Sequence, residues 1–326
     1  MHTHNFNFTC HLKSALYVHT LGKGMFASIK LYQCKDDHKD GHMESCNKLY
    51  VVKKLKFNNI KKTYNEQVTS KDPDADNIIE KLFRDEYEIG SILNHKNIIK
   101  TYGIDTLKHS LLLEHCPGVD LFDYLNNNKY IKNKKLLVRF ASLYEQVLSA
   151  VQYLHTHSIA HRDIKLENIM YDKHNHSIKL IDFGNAEYYK VDGVNVKSNK
   201  MKGTIEYLPP EVYNVLEYET DKIDIWSCGV VLFNLVYNDS PWKKAKISDS
   251  RYYACQTYFR KKDLHPFVFR CPTQSGYNIH DAQVIKDIFV TIFSAEDIEH
   301  RPDIDMLCHM YSKLQELGLP KKGSNS

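Results

Sequence analysis

An eight-residue string in the middle of the chain constrains its fold more than any other feature. Residues 161–168 are His-Arg-Asp-Ile-Lys-Leu-Glu-Asn, so a histidine, an arginine, an aspartate, a lysine and an asparagine stand at fixed spacing. Five fixed residues of this kind arise by chance in a chain of this length about once in 10⁴ sequences. Asp182-Phe183-Gly184 follows 19 residues after Asp163. The two strings together therefore indicate a chemical site rather than an ordinary charged loop.

These two strings resemble the catalytic loop and the metal-binding D-F-G of the eukaryotic protein kinases. The resemblance implies an α+β, bilobal fold, with a small β-rich N-terminal lobe that contains one key helix and a larger, mainly helical C-terminal lobe. It implies a kinase domain over residues 13–317, divided into lobes at about 13–115 and about 117–317. Residues 1–12 and 318–326 are then expected to be tails.

The hydrophobic pattern along the chain agrees with such a division. Alternating and β-branched residues predict strands over Tyr17–Leu21, Ala27–Gln33, Lys48–Leu55, Ile98–Tyr102 and Ser110–His115. Helical spacing predicts helices over Ile78–Leu93, Leu136–His155 and Ile223–Tyr237, and from Asp281 onward. Polar composition predicts an exposed hairpin insertion and a flexible loop over Cys34–Asn47 and Asn58–Asp76. The change from strands to helices places the boundary near Cys116–Pro117.

Composition excludes several classes of protein. The chain has 44 Lys and Arg against 40 Asp and Glu, and a net charge of +4 is too weak to indicate a nucleic-acid partner. The most apolar stretch, Ile223–Tyr237, contains Asp224 and predicts a buried helix rather than a membrane span. The start of the sequence has no apolar signal-peptide core, and the eight cysteines form no C-x-x-C pair. We therefore expect a cytoplasmic or nuclear protein with reduced thiols.

Further motifs of the kinase family follow in order. Residues 21–29, L-G-K-G-M-F-A-S-I, resemble the glycine-rich phosphate loop, with Ala27 in place of its third glycine. Lys53 ends a Tyr-Val-Val-Lys string that resembles V-A-I-K. Glu86 is the aligned acid of the kinase regulatory helix. Glu88 is the competing candidate, but helical spacing places it about 200° round, on the other face.

The resemblance implies a role for each residue of the site. Asp163 accepts the proton of the substrate hydroxyl, Lys165 stabilises the γ-phosphate, and Lys53, fixed by Glu86, holds the α- and β-phosphates. Mg²⁺ is held by Asn168 and Asp182. The expected ATP-binding residues are Leu21, Gly22, Lys23, Gly24, Phe26, Ile29, Val51, Lys53, Leu113, Glu114, Cys116, Asp120, Asn168, Met170 and Asp182.

The residues around the expected adenine and ribose are assigned by the same resemblance. Leu113 would be the gatekeeper, and the backbone of Glu114 and Cys116 would bond adenine, whereas Asp120 would meet the ribose. A set of three apolar residues would sandwich the adenine ring: Ile29, Val51 and Met170. Plain core packing is the alternative for these three side chains, and both descriptions can hold at once.

Two residues predict the class of substrate. Lys165, together with Thr204 in the Gly203–Glu211 segment, resembles the serine/threonine kinases, whereas tyrosine kinases have an arginine pattern in that segment. The resemblance therefore implies transfer of the ATP γ-phosphoryl group to Ser or Thr of proteins. Pocket residues Met201, Ile205 and Leu208 predict a hydrophobic residue just after the target. The hinge string weakly resembles calmodulin-kinase-like kinases and fungal kinases that regulate nutrients and ions.

Two other classes remain open at this point. An ATP-binding pseudokinase scaffold is supported only by departures from the family pattern at Ala27, Gly90 and Pro209. A small-molecule kinase of the choline or aminoglycoside type shares an H-x-D-x-x-x-x-N string. Such kinases lack the Pro-Glu segment and the Asp224-x-Trp-x-x-Gly string present in this sequence.

The resemblance also predicts the internal support of the site. Glu211 is expected to pair with Arg301. The regulatory spine of the family would consist here of Thr101, Gly90, Phe183 and His161, resting on Asp224. Because Gly90 is unusually small, Gly90→Leu is expected to raise basal activity by filling a gap, unless a neighbouring side chain already fills it.

The segment between Asp182 and Glu211 raises a question of activation. Arg162 is the residue that grips a phosphate on this segment in many kinases, but Lys200 stands at the usual acceptor position. Lysine cannot be phosphorylated, so two alternatives follow. Either an acid of the segment, Glu187 or Asp192, orders it without phosphate, which we favour, or Ser198 serves as a displaced phosphorylation site.

Overall fold

The computed structural model describes residues 15–34, 48–56, 59–60, 75–127, 134–261, 279–294 and 300–316. The chain divides into two compact units, Met1–Pro117 and Gly118–Ser326. The predicted hairpin insertion and flexible loop lie almost entirely outside the described residues, and so do the two predicted tails.

The first unit is an antiparallel sheet with one long helix. The strands lie in the order β1-β2-β3-β5-β4 and comprise β1 (Leu16–Lys23), β2 (Ala27–Gln33), β3 (Leu49–Leu55), β4 (Thr101–Asp105) and β5 (Ser110–Glu114). Helix α1 (Ala75–Ile92) packs against β4, and its residues Phe83 and Ile89 are buried. The amphipathic spacing of this helix supplies that apolar face.

One strand begins later than the sequence pattern predicts. The apolar run Ile98–Tyr102 was expected to be a strand, whereas β4 begins at Thr101. The stretch follows a turn in which Ile98 N donates to His95 O at 3.0 Å, and continuous pairing with β5 starts only at Thr101. Ile98 and Ile99 are nevertheless buried. Their apolar character therefore reflects core packing, which periodicity alone does not separate from strand pairing.

The second unit is mainly helical. Its helices are α2 (Leu121–Asn127), α3 (Lys134–Thr156), α4 (Glu211–Asn214), α5 (Thr220–Tyr237), α6 (Ser250–Lys261), α7 (Ile279–Phe293) and α8 (Ile304–Glu316). Its short strands are β6 (Val119–Asp120), β7 (Ile159–Ala160), β8 (Ile169–Asp172), β9 (Ser177–Leu180), β10 (Glu187–Tyr188), β11 (Lys190–Val191), β12 (Val194–Asn195), β13 (Lys197–Ser198) and β14 (Tyr218–Glu219). The predicted α+β fold class is confirmed.

Helix α5 is the centre of the second unit, as its long apolar stretch predicts. It packs against both α3 and α7, and it is buried nearly all round. Gly229 permits the close approach of α7, because a Cβ there would lie 2.8 Å from Phe293. The helix also carries Asp224, which is fully buried. Within the described residues, no helix combines the length and apolarity that crossing a membrane requires.

Candidate active site

The His161–Asn168 string folds into a loop between β7 and β8. Asn168 Nδ2 donates to Asp163 O at 2.8 Å and to Asp163 Oδ2 at 3.1 Å. A short 3-10 turn over Leu166–Asn168 brings the asparagine back toward the aspartate. The five-residue spacing from Asp163 to Asn168 is therefore the spacing at which this turn brings the two residues into contact.

Buried Asp224 holds the start of this loop. Its Oδ2 accepts from His161 N and its Oδ1 accepts from Arg162 N, both at 2.8 Å. Arg162 has φ 65°, a left-handed conformation that a non-glycine residue adopts only when its surroundings impose it. The His161 ring lies 5.0 Å from that of Phe183, edge to face. The prediction that Asp224 supports this part of the spine is confirmed.

Three side chains converge at the reactive end of the loop. Lys165 Nζ lies 2.9 Å from Asp163 Oδ2 and donates to Thr204 Oγ1 at 2.7 Å. Thr204 Oγ1 in turn donates to Asp163 Oδ1 at 2.8 Å. Asp163 is an acceptor here, with both carboxylate oxygens held by donors. A substrate hydroxyl that replaces the Thr204 hydroxyl would meet a correctly oriented base.

Asn168 and Asp182 supply oxygen ligands of the kind that Mg²⁺ prefers. The amide nitrogen of Asn168 faces Asp163, which leaves Oδ1 as the ligand atom. Asp182 has φ 67°, and its Oδ1 accepts from Gly184 N at 3.3 Å. Ile181 N donates to Asn168 O at 2.9 Å, so the backbone brings the two ligand residues to the same end of β8 and β9. The residues present fit a magnesium ion completed by phosphate and water oxygens.

The first unit contains the predicted lysine–glutamate pair. Lys53 Nζ donates to Glu86 Oε1 at 2.6 Å, and both side chains are largely buried. Glu88, the competing acid, is exposed. The choice of Glu86 from helical spacing is confirmed as a contact, since only one face of α1 meets the sheet.

The strand register aligns the predicted adenine residues of the first unit. Ile29 lies opposite Lys53, and Val51 lies opposite Leu113. Because alternate residues of a strand share a face, these four residues lie on one face of the sheet. Glu114 ends β5, and its N–H donates to Lys100 O at 2.8 Å. Cys116 follows two residues later, just before the end of this unit.

The predicted phosphate loop is the turn between β1 and β2. Gly24 N donates to Ala27 O at 3.0 Å and closes the turn. A Cβ on Gly22 would meet no atom within 4 Å, so this backbone is accessible to a phosphate. Leu21 and Phe26 are exposed on either side, and Lys23 ends β1. Lys56 Nζ donates to Gly24 O at 2.6 Å and supports the turn from outside the motif.

The ribose and adenine residues of the second unit also face each other. Asp120 and Met170 are cross-strand partners in β6 and β8. Asp120 Oδ1 accepts from Asp123 N at 2.8 Å and so caps the first turn of α2. Burial raises the pKa of Asp120 above its usual value, although backbone N–H donors oppose the rise. Its carboxylate therefore has a structural task besides the role expected from the sequence.

The exception foreseen for Gly90 applies, because a neighbouring side chain already fills the space beside it. A Cβ added at Gly90 would lie 2.5 Å from Thr101 Oγ1 and 3.2 Å from Thr101 Cβ. The space that the sequence leaves empty at Gly90 is already filled from β4 by Thr101. A larger residue at Gly90 therefore collides instead of filling a gap. The two unusual residues of the spine compensate each other.

The ion pair predicted between Glu211 and Arg301 is confirmed. Arg301 Nη2 donates to Glu211 Oε2 at 3.0 Å, and Arg301 Nη1 donates to the other carboxylate oxygen. Arg301 Nη1 also donates to Lys222 O at 3.1 Å. The pair is buried and bidentate, which fixes α4 beside α5.

Arg162 is buried, and its guanidinium has partners without a phosphate. Its Nη1 lies 2.6 Å from Glu187 Oε2, in an ionic contact without hydrogen-bond alignment. Its Nη2 donates to Lys200 O at 2.5 Å. Tyr218 Oη donates to the same carbonyl. Lys200 thus presents its backbone oxygen, rather than a side-chain phosphate, to the arginine.

The segment around Lys200 is also tied down by backbone pairing. Strand β10 pairs with β7, and β13 pairs with β14. Ser198 is buried in β13, and its Oγ accepts from Lys200 N at 3.3 Å. Asp192 is exposed in the turn between β11 and β12. Of the two acids that the sequence suggested, Glu187 therefore reaches the arginine.

Sequence reasoning missed Tyr218. Burial raises the pKa of Tyr218, so its phenol remains a neutral donor to Lys200 O. An aromatic residue just before the buried helix was the only signal in the sequence. Its partner is a backbone carbonyl, which no residue pattern reveals.

Comparison with known proteins agrees with this geometry. Residues 16–310 match a family model described as a protein kinase domain. The chain is 32% identical over 243 residues to the mouse (Mus musculus) serine/threonine-protein kinase SIK1, covering 74% of this chain and 27% of that protein. It is 33% identical over 243 residues to the chicken (Gallus gallus) serine/threonine-protein kinase SIK2, covering 74% and 26%. It is 28% identical over 285 residues to Schizosaccharomyces pombe serine/threonine-protein kinase chk1, covering 86% and 51%. The matched part thus spans about a quarter to a half of these relatives.

Proposed function

The chain belongs to the protein kinase family, and we propose that it is an active serine/threonine protein kinase that transfers the γ-phosphoryl group of ATP to protein hydroxyls. The observation that carries the proposal is the contact of Thr204 with both Asp163 and Lys165. This contact places a hydroxyl against the base and beside a cation, which is the arrangement that a substrate serine or threonine needs. We propose residues 13–317 as the kinase domain.

In the proposed mechanism Asp163 accepts the proton of the target hydroxyl as its oxygen bonds to the γ-phosphorus, while the bond from that phosphorus to the β–γ bridging oxygen breaks and ADP leaves. Lys165 lies beside that carboxylate and neutralises charge on the transferred phosphoryl group. Lys53, held by Glu86, orients the α- and β-phosphates. Catalysis is then mainly positioning and charge neutralisation.

Asn168 and Asp182 would hold the magnesium ion that this family uses with ATP. The ion supplies charge neutralisation at the phosphates. Leu21, Gly22, Lys23, Gly24 and Phe26 would enclose the phosphates by backbone approach. The remaining nucleotide contacts would come from Ile29, Val51, Leu113, Glu114, Cys116, Asp120 and Met170.

The proposed substrates have a hydrophobic residue directly after the target. Met201 and Ile205 are exposed beside Thr204, and Leu208 is buried behind them. An apolar side chain that follows the target hydroxyl can cover these exposed side chains. A peptide library that selected proline or aspartate at this position would contradict the proposal.

The pseudokinase alternative has no structural support in the described residues. Its three arguments from sequence were Ala27, Gly90 and Pro209. Ala27 accepts the hydrogen bond that closes the phosphate turn, and Gly90 is compensated by Thr101. Pro209 O accepts from Val212 N at 3.3 Å and leaves Glu211 paired.

Phosphate transfer from radiolabelled ATP to a generic basic protein tests the proposal. Wild-type protein is expected to label serine and threonine, and Asp163→Asn is expected to abolish labelling. If the wild-type protein binds ATP but transfers phosphate to no peptide or protein substrate, the scaffold alternative is favoured instead. Choline and aminoglycosides as acceptors test the small-molecule class in the same assay.

We propose the cytoplasm or the nucleus as the site of action. Cys228 and Cys255 are buried thiols, and burial raises the pKa of each well above the usual value. Thiols in this state are unreactive and suit a reducing compartment. Imaging of the chain fused to a fluorescent protein tests this location.

A further inference from the structure

The loop after helix α5 carries three lysines, Lys243, Lys244 and Lys246, which are called the lysine loop below. Trp242 precedes them, Ala245 lies between Lys244 and Lys246, and both side chains are fully buried. The two buried side chains anchor the loop in the second unit. The three lysines consequently lie toward solvent on a fixed backbone, with Lys243 exposed and the other two half-buried.

Asp249 fixes this backbone further. Its Oδ2 accepts from Lys243 N at 3.0 Å and from Lys244 N at 3.3 Å. Its Oδ1 accepts from Arg251 N at 3.0 Å and from Tyr252 N at 3.1 Å, which caps helix α6. The carboxylate of Asp249 is thus used by backbone donors on both sides. It positions the lysine loop without pairing with the lysine side chains.

Two ammonium groups of the lysine loop share one aromatic ring. Lys244 Nζ lies 4.6 Å and Lys246 Nζ 4.8 Å from the centroid of the Tyr213 ring. The two like charges are therefore less than about 10 Å apart, which is about the screening length at 0.1 M salt. The ring holds both long side chains in place, so an arriving anion has less conformational entropy to remove.

The charges around this ring leave the ammonium groups available. In the part of the chain that the structure describes, no carboxylate lies within salt-bridge distance of Lys243, Lys244 or Lys246. Glu206 is exposed nearby, and with burial it raises the pKa of Tyr213 to about 12. Asp239 is neutralised by Arg251 at 2.9 Å. The three lysines therefore have no ion-pair partner among the described residues.

Tyr213 also connects the lysine loop to the reactive end of the site. Its Oη donates to Ile205 O at 3.3 Å. Ile205 follows Thr204, whose hydroxyl donates to Asp163 Oδ1 at 2.8 Å. The path from the carboxylate to the two ammonium groups is at most about 20 Å, the length of about six extended residues. A substrate held at Asp163 can therefore reach the lysine loop within one peptide.

We propose that the lysine loop, with Tyr213 as its support, binds carboxylates of the protein substrate within about six residues of the phosphorylated serine or threonine. Charge complementarity selects this occupant, because fixed like charges repel each other and an acidic side chain relieves that repulsion. The inference rests on the proposed kinase function and adds a class of substrate to it.

Paired peptides test the proposal on the 326-residue chain. Each peptide has one serine, an apolar residue after it and neutral flanks. Two glutamates, or two glutamines as the matched control, stand three to six residues upstream or downstream. The enzymes are the wild type, Lys244→Gln/Lys246→Gln, the charge-reversed Lys244→Glu/Lys246→Glu, and Lys173→Gln/Lys313→Gln as a control in other elements. Thermal melting verifies that each variant is folded.

For the wild type, we expect kcat/KM for at least one glutamate peptide to exceed that for its glutamine partner about fivefold, mainly through KM. The advantage should fall with added salt. It should disappear in Lys244→Gln/Lys246→Gln, reverse in favour of the glutamine peptide in the charge-reversed variant, and persist in the control variant. Equal kinetics for both peptides in the wild type, or an advantage that survives the double substitution, would overturn the proposal.

Fluorescence anisotropy with the same labelled peptides separates the two proposals. If no peptide is phosphorylated, the proposed function fails, while a glutamate preference in binding that requires the two lysines still supports the lysine loop. If peptides are phosphorylated but neither binding nor kinetics distinguishes glutamate from glutamine, the lysine loop proposal alone is wrong.

Discussion

Replacing Glu187 should reveal whether this kinase is ordered without phosphate. Glu187 is the carboxylate that contacts Arg162, and the Arg162 side chain is 0% exposed whereas that of Glu187 is 29% exposed. Removing one partner of a buried pair costs about 3–5 kcal/mol. The partial exposure of Glu187 and the second contact of Arg162, with Lys200 O, reduce this cost. We expect Glu187→Gln to destabilise the ordered segment by about 2–3 kcal/mol.

That cost converts into a measurable loss of activity. Each 1.4 kcal/mol is about a tenfold change in an equilibrium constant, so the constant that favours the ordered segment falls by about 30- to 150-fold. If the ordered segment predominates only modestly in the wild type, kcat falls by about 10- to 100-fold. The assay is peptide phosphorylation by bacterially made protein, before and after phosphatase treatment. Wild-type activity should survive the phosphatase.

Two matched variants make the test specific. Asp192→Asn removes the other acid of the segment, which lies exposed in a turn, and should leave activity within about twofold. Ser198→Ala should also retain activity. The Ser198 hydroxyl is buried and accepts a hydrogen bond from Lys200 N, so it is not exposed for phosphorylation. Loss of most activity on phosphatase treatment or in Ser198→Ala would refute the reasoning. Full activity in Glu187→Gln would refute it as well.

Other substitutions test the remaining parts of the site. Asp163→Asn should lower kcat at least 10³-fold with ATP affinity retained, because it removes the base, and unchanged kcat would contradict the assignment. Lys53→Met should lower kcat more than it weakens ATP binding, as compared by single-turnover kinetics and nucleotide titration. Gly90→Leu should destabilise the protein by about 1–3 kcal/mol in urea unfolding, with Gly90→Leu/Thr101→Ala less destabilised than the single variant. Glu211→Gln should cost about 3–5 kcal/mol, because it leaves a buried arginine without its charge partner, and a loss below 1 kcal/mol would argue against it.

Motif spacing predicts side-chain partners well where the local element fixes the direction of each side chain. The family resemblance paired Lys53 with Glu86, helical spacing set Glu88 aside, and the pair lies at 2.6 Å. At Gly90 the sequence left two outcomes open, because the size of one residue does not show what fills the space beside it. Thr101 comes from another strand, and only the packed structure reveals that its hydroxyl lies where a Cβ would go.

Strand boundaries and backbone partners were beyond the sequence for a different reason. Ile98 and Ile99 are apolar and buried, and they lie between a turn and the start of β4. Lys200 is a further case, since the type of its side chain gave no sign that its carbonyl would accept from Arg162. Every residue has a carbonyl oxygen, so residue type does not indicate which carbonyl an arginine will bind.

The Arg162 environment explains how a lysine can stand at the usual phosphate position. A buried guanidinium requires both charge neutralisation and hydrogen-bond acceptors. In kinases that are switched by phosphate, one phosphate group supplies both. Here Glu187 supplies the charge and Lys200 supplies the carbonyl, so the two requirements are met by different residues. The Lys200 side chain is then free to lie in solvent, where its charge is screened and its repulsion from the arginine is small. A phosphate on this segment would therefore compete with an acid that is already in place, and control of this kinase should act on other parts of the molecule.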